Sequence, residues 1–515
     1  MKTLSRFVVK FTSLIVSVLS CFDRVMFKGY LPIVNGSALE AFVDHVLKIR
    51  RTDFMGFAQK QSDALVDHAK RLAQQAGAEY RFLQGAHRKD KLVDEMLRQR
   101  PISEGLICVL CCMECCGSFR LISGKDRPRL INNRRQQRVL YFYYLDPKLG
   151  LIHIRLQTWF PLTVQVYVNG HSCLAQELLK RRLGFTQQDN AFTALDDPKA
   201  AQKLADSFVR QNWPKILNRL VRQVNPLMNE PWFRSLSYYW VVDQAEYATD
   251  LIFTSREALA GLYPRLLDHA AVNFSAKDIL KFLGRRFHPR FDGEVLTQCQ
   301  KDRWPGARIK HRMKNNWLKM YDKFGLVLRI ETVINNPREF RVRRLRTRAG
   351  CEEMAWCPMN KGVCNLYHYR EVALAANERY LEALSVVDNP APAYRQVEQL
   401  TEPVVVGGRS YAGFNPASVA DVKLFGAVLD GNHLVRGFRN ADIREILYGG
   451  NDDPQECRRQ SAAVGRLLKR LHVRGLIAKV PRSRRWHVSR EGHRVLQAVM
   501  QLYHRGIPAT FGEAA

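Results

Sequence analysis

The sequence lacks three features that would place it in other classes of protein. No apolar run reaches the roughly 18 to 20 residues that a membrane-spanning helix requires. No internal repeat or low-complexity tract occurs, which argues against a solenoid or a disordered chain. Acidic residues are scarce, because 49 Asp and Glu stand against 80 Lys and Arg, a formal net charge of +31. This excess predicts a polyanionic partner, and nucleic acid is the commonest one.

The N-terminal residues do not favour an export signal. The stretch MKTLSRFVVKFTSLIVSVLSC has a basic start, an apolar run and a final cysteine, but Lys10 interrupts the run. Apolar side chains recur there at helical spacing, which predicts an amphipathic helix containing Phe7, Phe11, Leu14, Ile15 and Val18. A strand is expected to follow at Cys21 to Lys28. A cytoplasmic protein without a membrane partner is the resulting prediction.

The 12 cysteines do not form the pattern of a disulfide framework in a chain this long and basic. One segment, CVLCCMECC, contains zinc-like C-x-x-C spacings at Cys108, Cys111, Cys112, Cys115 and Cys116. No second ligand pair follows at the spacing of a zinc finger. Small apolar side chains in a buried strand or helix are therefore favoured, and metal binding by cysteine stays open.

Sequence texture divides the chain into four regions. Residues 1–105 read as an N-terminal α/β region, and residues 106–388 as a strand-rich and helical body that handles nucleic acid. Helices are expected to dominate from about 198 to 290. A stretch rich in Pro and Gly at 389–415 predicts a linker, and 416–515 a C-terminal domain. The predicted fold class is α/β (α+β) with a mainly antiparallel central sheet.

The C-terminal region has a regular series of predicted elements: three helices, a strand, the turn PRSRR, a second strand and a last helix. In the third helix Val464, Leu467, Leu468 and Leu471 fall on one side and predict a core stripe. Between Arg458 and Arg494 twelve Lys or Arg face one acid, Glu491. This series resembles a winged helix-turn-helix domain of the MarR-like regulators. The resemblance implies DNA contacts by the third helix and the wing, at Arg459, Arg466, Arg470, Arg482, Arg484 and Arg485.

The segment NNWLKMYDKFGLVLRIETVINN alternates apolar and polar residues on both sides of a short turn, which predicts a hairpin. Leu318, Met320, Leu328 and Ile330 take the buried face of this hairpin. The other face carries Lys319, Tyr321, Lys323, Arg329 and Glu331. That face is either a surface for nucleic acid or a solvated one, on which Arg329 and Glu331 pair with each other. Basic residues at Arg341, Arg343 and Arg344 extend the cationic region.

Residues 318–331 resemble a segment of rolling-circle replication initiators, which nick DNA with a tyrosine and a metal held by a His-hydrophobe-His pair. The resemblance implies Tyr321 as the nucleophile. The chain departs from that pattern because IHIRL supplies His153 but has Arg155 where the second histidine is needed. His171 is too distant in sequence to replace it, so the metal ligands stay unknown.

Carboxylates offer a second route to catalysis, since paired acids can hold Mg²⁺ or Mn²⁺. Asp23 is a lone acid on an apolar strand, as in ribonuclease-H-like nucleases; an ion pair with Arg24 is the alternative. Glu246 and Asp250 are spaced one helical turn apart, which suits either joint metal binding or a solvated helix face. The candidate catalytic residues are Asp23, Glu246, Asp250, Glu331 and Tyr321. No organic cofactor is expected.

These observations predict a DNA-processing protein of a mobile genetic element, transposase-like or replication-initiator-like, with metal-dependent strand nicking or transfer. Two alternatives stay open. One is a DNA-binding transcriptional regulator without enzymatic activity, and the other is a binding partner of a structured RNA. The sequence does not indicate the target or the oligomeric state.

Overall fold

The computed structural model describes residues 5–506, except for 286, 287, 289, 290, 292, 301–305, 349, 350, 388–396, 431, 432, 434–436, 451, 452 and 482. The chain is divided between two units. The first contains Met1–Phe11, Ala260–Lys314 and Glu378–Ala515, and the second contains Thr12–Leu259 and Asn315–Asn377. Part of the predicted linker lies outside the described residues. Within the described ranges, no helix has both the length and the apolar composition that crossing a membrane requires.

The strands, in chain order, are Ile15–Tyr30 (β1), Glu79–Leu83 (β2), Gly105–Ile122 (β3), Arg129–Asp146 (β4), Gly150–Gln157 (β5), Val164–Asn169 (β6), Phe185–Gln188 (β7), Ala191–Leu195 (β8), Tyr239–Phe253 (β9), Val295–Gln300 (β10), Arg308–Met313 (β11), Asn316–Lys323 (β12), Val327–Ile334 (β13), Arg341–Arg348 (β14), Cys351–Pro358 (β15), Val404–Val406 (β16), Arg409–Tyr411 (β17), Ile477–Lys479 (β18) and Trp486–Val488 (β19). The α-helices are Arg6–Lys10 (α1), Gly36–Phe42 (α2), Phe54–Gln75 (α3), Lys89–Gln99 (α4), Gly170–Lys180 (α5), Pro198–Ser207 (α6), Trp213–Val224 (α7), Arg256–Asn273 (α8), Ala276–Phe282 (α9), Leu366–Leu384 (α10), Val419–Leu429 (α11), Asn440–Tyr448 (α12), Pro454–Val473 (α13) and Arg490–Gly506 (α14).

A large sheet organises the second unit. Its strands lie side by side in the order β12, β13, β9, β1, β6, β5, β4, β3 and β2. Neighbours run antiparallel except β2 and β3, which are parallel. The predicted mixed fold with a mainly antiparallel sheet is therefore confirmed.

Side chains from helices bury both faces at the centre of this sheet. On one face Phe27 of β1 stacks on Trp213 of α7, with ring centroids 4.7 Å apart. On the other face α5 and α6 pack against Leu19 of β1 and Val327 of β13. Every position of β13 is buried as a result. Polar side chains on such a strand need partners inside the protein, because burying them unpaired is costly.

Strands replace one predicted helix and the C-terminal part of another. The N-terminal helix α1 ends at Lys10, and Ile15 already belongs to β1. The segment containing Glu246 and Asp250 is strand β9 rather than part of a helical block. Its aromatic and β-branched content favours a strand, and burial on both faces removes the alternation that would reveal one. A spacing of four residues places two side chains on the same side in a strand as well as in a helix.

The C-terminal part of the first unit contains the predicted elements in the predicted order: α11, α12, α13, β18, β19 and α14. Val464, Leu468 and Leu471 of α13 are buried in its core, and Leu467 packs against that core. The apolar stripe of the third helix is therefore confirmed. Assignment of these elements to a winged helix-turn-helix domain stays a prediction.

Candidate active site

A bulge in the central strand β1 places the first site residue. Phe22 pairs with Tyr247 and Arg24 with Glu246, so Asp23 is an extra residue with no partner on β9. A bulge of this kind turns two successive side chains toward the same face of a sheet. Asp23 is 5% exposed, and Arg24 Nε lies 4.0 Å from Glu246 Oε2. The predicted alternative, an ion pair between Asp23 and Arg24, does not form; Arg24 lies beside Glu246.

Arg329 connects two of the predicted catalytic acids below the surface. Its guanidinium donates to both carboxylate oxygens of Asp250, each at 2.6 Å, and to Asp23 Oδ1 at 3.1 Å. Arg329 and Asp250 lie directly opposite each other on β13 and β9, which explains the paired geometry. Arg329 is completely buried. The structure thus places it as a partner of carboxylates rather than on the surface predicted to contact nucleic acid.

Two residues absent from the predicted site complete this cluster. His171 is buried on the first turn of α5, with Nδ1 3.2 Å from Asp23 Oδ1 and Nε2 3.3 Å from Asp250 Oδ2. A Cβ on the preceding Gly170 would lie 2.1 Å from the carbonyl oxygen of Phe22, so only glycine lets α5 start this close to β1. Asn190, in the turn between β7 and β8, donates to Asp23 Oδ1 at 2.6 Å. No local pattern in the sequence indicates Asn190, and the spacing of His171 only excludes it as the second histidine of a metal-binding pair.

Three carboxylates from three adjacent strands converge beside this cluster. Asp23 of β1, Glu246 of β9 and Glu331 of β13 each offer an oxygen, and these oxygens lie within 4.8 Å of one another. All three residues are buried. Glu331 Oε2 accepts a hydrogen bond from the Tyr321 hydroxyl at 2.7 Å, whereas the buried Oε1 has no hydrogen-bond partner. We call Asp23, Glu246 and Glu331 the carboxylate triad.

The charges of the triad are unevenly distributed. Burial and the neighbouring Glu331 carboxylate raise the pKa of Glu246 to about 8. Burial opposes ionisation of Glu331 too, but Lys319, the hydrogen bond from Glu246 and the charge of Arg329 together outweigh it, and the pKa of Glu331 falls below its usual value. For Asp23, burial is outweighed by Arg329 and His171, which lower its pKa. At neutral pH the triad therefore holds two ionised carboxylates and one proton on Glu246.

The polar face of the β12–β13 hairpin is a buried site rather than a solvated surface. The predicted division of the hairpin into two faces is confirmed, and across the strands Lys319 lies opposite Glu331 and Tyr321 opposite Arg329. The alternative in which Arg329 pairs with Glu331 on a solvated face is wrong, because Arg329 binds Asp250 and Glu331 contacts Lys319 Nζ at 3.4 Å. Lys323 binds the side chain of Asn190. Burial and the neighbouring Glu331 keep the pKa of Tyr321 well above its usual value, which makes its hydroxyl a hydrogen-bond donor.

The other residues predicted to bind nucleic acid lie on β14 and in the C-terminal elements. They differ in exposure and in whether they already pair with another group. Arg341 and Arg343 are exposed on β14, Arg466 is exposed on α13 and Arg484 near β19, whereas Arg344 is partly buried. Arg459 pairs with Glu456 at 2.8 Å. Arg470 lies 4.1 Å above the Phe414 ring and also binds the carbonyl of Gly413, and Arg485 donates to Gly437 O at 2.9 Å. Arg482 lies outside the described residues.

The cysteine-rich segment and His153 of IHIRL lie in the packed sheet, apart from the carboxylate triad. Cys108, Cys111, Cys112 and Cys116 are buried on β3, and Cys115 is exposed. Among the residues that the structure describes, only the carboxylate triad gathers three potential ligands closely enough to share one ion. His153 stacks on Tyr167 at 4.9 Å, and burial lowers its pKa to about 4. The histidine pair of rolling-circle initiators thus has no counterpart at this position.

Comparison of the chain with protein families, with curated proteins and with solved structures gave no match. The site must therefore be interpreted from its own geometry. Five of the predicted polar residues, Asp23, Glu246, Asp250, Arg329 and Glu331, meet at one place on three neighbouring strands.

Proposed function

We propose that this chain is a DNA-processing protein of a mobile genetic element, transposase-like or replication-initiator-like, which cleaves a nucleic-acid strand with Mg²⁺ or Mn²⁺ at the carboxylate triad. One observation carries the catalytic part of this proposal. Three carboxylates are gathered in the interior within reach of one ion, and Glu331 Oε1 has no donor other than a neighbouring acid. The proton on Glu246 supplies the remaining hydrogen bond to Glu331, and a cation that replaced this proton would bind both carboxylates.

The donor set suits a hard divalent cation. The triad offers only oxygen ligands, which Mg²⁺ and Mn²⁺ prefer. The oxygens of the triad lie within 4.8 Å of one another, close enough for one cation to draw all three into its coordination shell. Binding would displace the Glu246 proton and make that carboxylate a ligand. Lys319 Nζ, 3.4 Å from Glu331 and 3.8 Å from Glu246, would balance the remaining charge.

The residues around the triad suit phosphodiester cleavage. A divalent cation here supplies charge stabilisation for a phosphate oxygen and can activate a water molecule. Arg329 and His171 hold Asp23 in place from beneath, and Tyr321 orients Glu331 from the side. Arg24, whose side chain is 47% exposed, lies at the solvent side of Glu246 and can pair with a phosphate.

The partner is inferred from charge. A formal net charge of +31 favours a polyanion. Exposed arginines on α13 and near β19 support contacts of the C-terminal elements with DNA phosphates. Two rivals explain the same charge: a regulator whose buried acids are structural, and a partner of a structured RNA. Both predict nucleic-acid binding without cleavage.

Replacement of Glu331 by glutamine separates these readings. The full chain is incubated with end-labelled single-stranded DNA, hairpin DNA and single-stranded RNA, in Mg²⁺ or Mn²⁺ and in EDTA. We expect wild type to cut DNA only with the cation. Glu331→Gln should abolish cutting and leave DNA binding unchanged or tighter, because it removes a ligand and a negative charge. Manganese binding, measured by electron paramagnetic resonance, should weaken in parallel.

Glu114→Gln is the matched control. Glu114 lies on β3 of the same sheet, but Tyr141 and Arg155 satisfy its oxygens at 2.6 and 3.0 Å. This variant should cut as wild type does. A folded Glu331→Gln protein that still cuts would refute the assignment of the triad. Wild type that binds nucleic acid without cutting it would favour the two rivals, and preference for RNA would favour the second.

A further inference from the structure

The hairpin formed by β14 and β15, here called the arginine ribbon, exposes charge and large apolar side chains together. Arg341, Arg343 and Arg346 are exposed along β14. Leu345 and Met354 are each 53% exposed, and Trp356 is 63% exposed. Single exposed apolar residues are common on protein surfaces and need no explanation. Several of them together on one two-stranded ribbon indicate an interaction surface.

The register sorts these residues onto two faces. Arg343 lies opposite Trp356 and Leu345 lies opposite Met354, and the alternation of a strand places both pairs on one face. On the other face Val342 lies opposite Cys357, and both are only 5% exposed. The ribbon is thus anchored at its base by one face. The opposite face exposes the guanidinium of Arg343 beside the indole of Trp356, followed by the apolar pair Leu345 and Met354.

We propose that the arginine ribbon enters the minor groove of duplex DNA, where its arginines bind phosphates and the Leu345–Met354 pair unstacks a base step. Arginine is favoured in the minor groove by its negative potential, and apolar side chains are the groups that open base steps there. Arginine can also bind guanine in the major groove, so it is the exposed Leu345–Met354 pair that favours the minor groove, where apolar side chains open base steps. The pair therefore favours recognition by groove shape and deformability.

A second copy of the chain is a poorer occupant of this face. Each ribbon carries five arginines against two acids, Glu352 and Glu353, so pairing two ribbons brings together surfaces of like net charge. A polyanion removes that repulsion and releases counterions as it binds. Unstacking a base step would also help a DNA strand to reach the buried carboxylate triad, because the strand must first separate from the duplex. The proposal goes beyond strand cleavage and is testable without metal.

The test uses the full chain in EDTA and a duplex of about 25 base pairs carrying a donor and an acceptor dye at its two ends. We expect wild type to bend the duplex, seen as increased energy transfer, and netropsin to compete for the groove. The double variant Leu345→Ser, Met354→Ser should lose the bend and bind about tenfold more weakly. The double variant Arg341→Gln, Arg343→Gln removes two exposed arginines from the face of the apolar pair and should reduce the dependence of log affinity on log salt by about two units.

The control is Val405→Ser, Val406→Ser, which removes exposed apolar side chains, 68% and 46% exposed, from another two-stranded hairpin, β16–β17. It should bind and bend DNA as wild type does. Circular dichroism checks that each variant is folded. A duplex that stays straight in the wild-type complex, or that the apolar variant bends equally, would overturn the proposal. So would a wild-type dimer by light scattering that becomes a monomer in the apolar variant, because the face would then bind a second copy.

Discussion

Asp250 and Glu331 are buried carboxylates on neighbouring strands, and both are 1% exposed. Asp250 has a donor for each oxygen, from the guanidinium of Arg329. Glu331 has one oxygen with a phenolic donor and one with none. The first arrangement is complete without a ligand, whereas the second is complete only with a proton or a cation.

Two neighbouring strands thus carry one carboxylate whose oxygens are both paired and one carboxylate with an oxygen that can still take a proton or a cation. Buried ions normally require full pairing, since an isolated charge in the interior is unstable. Arg329 provides that pairing for Asp250 and at the same time fixes Asp23. Asp23 of the carboxylate triad is therefore held by the same guanidinium that pairs with Asp250, whereas Glu331 keeps one oxygen without a donor from Arg329 or Tyr321. A binding site is more effective when neighbouring residues already hold its side chains in place before the metal ion or substrate binds.

The largest expected effect comes from breaking the satisfied side. Arg329→Met removes the partner of two buried carboxylates, so we expect the free energy of unfolding to fall by at least about 3–5 kcal/mol. Urea unfolding in EDTA measures it. Arg219→Met is the control, because its pair with Asp146 is at 3.0 Å but its side chain is 47% exposed; it should cost about 0–1 kcal/mol. Equal losses in both variants would contradict the comparison.

The next effect concerns the proton of the unsatisfied side. The pKa of Glu246 is raised to about 8 in the folded chain, so the protonated form is the one that favours folding. Its contribution is complete below about pH 4.5 and is lost as the pH rises through about 8. Glu246→Gln mimics the protonated acid. In EDTA we expect the variant to become more stable than wild type between pH 5 and 8, by about 2–4 kcal/mol.

Urea unfolding at several pH values gives this difference directly. Glu114→Gln again serves as control, because the hydrogen bond with Tyr141 and the pairing with Arg155 outweigh burial and lower the pKa of Glu114. Its stability relative to wild type should not rise over the same pH range. Parallel curves for wild type and Glu246→Gln would mean that Glu246 is ionised in the folded chain.

The smallest effect distinguishes a positioning tyrosine from a nucleophilic one. Tyr321→Phe removes one hydrogen bond to Glu331, and we expect a loss of about 1 kcal/mol in stability. Cleavage should slow but continue, because the hydroxyl only orients a ligand. Rate measurements with Mn²⁺ on single-stranded DNA test this. Abolished cleavage, together with a covalent adduct between wild type and DNA, would instead make Tyr321 the nucleophile.

The sequence revealed those parts of the site that follow from local alternation. The β12–β13 hairpin and the division of its side chains between two faces were predicted, because Leu318, Met320 and Ile330 mark one face. Strand β9 was missed, since burial on both faces hides the period and the spacing of Glu246 and Asp250 fits a helix as well. The regular elements of the C-terminal residues were predicted because each carries its own periodicity and turn signals.

Residues positioned by long-range geometry could not be predicted. Asn190 reaches Asp23 from a turn that follows β7, and no local pattern connects the two. His171 depends on the close approach of Gly170 to β1, which only the fold determines. The partners of Arg329 were likewise mistaken, because Glu331 is nearer in sequence while Asp250 lies directly across the sheet.

The bulge at Asp23 also sets the pleat of everything that follows it in β1. Phe22 and Val25 are buried on one side of the strand only because one additional residue lies between them. Deleting Asp23 would remove the bulge and return β1 to regular alternation, with Phe22, Val25 and Phe27 still on their present side. The core would keep its pattern, whereas the site would lose the Asp23 carboxylate. Deleting a residue from a regular part of the strand would instead turn every later side chain to the opposite face. The bulge thus lets β1 hold one additional residue for the site without disturbing the core pattern.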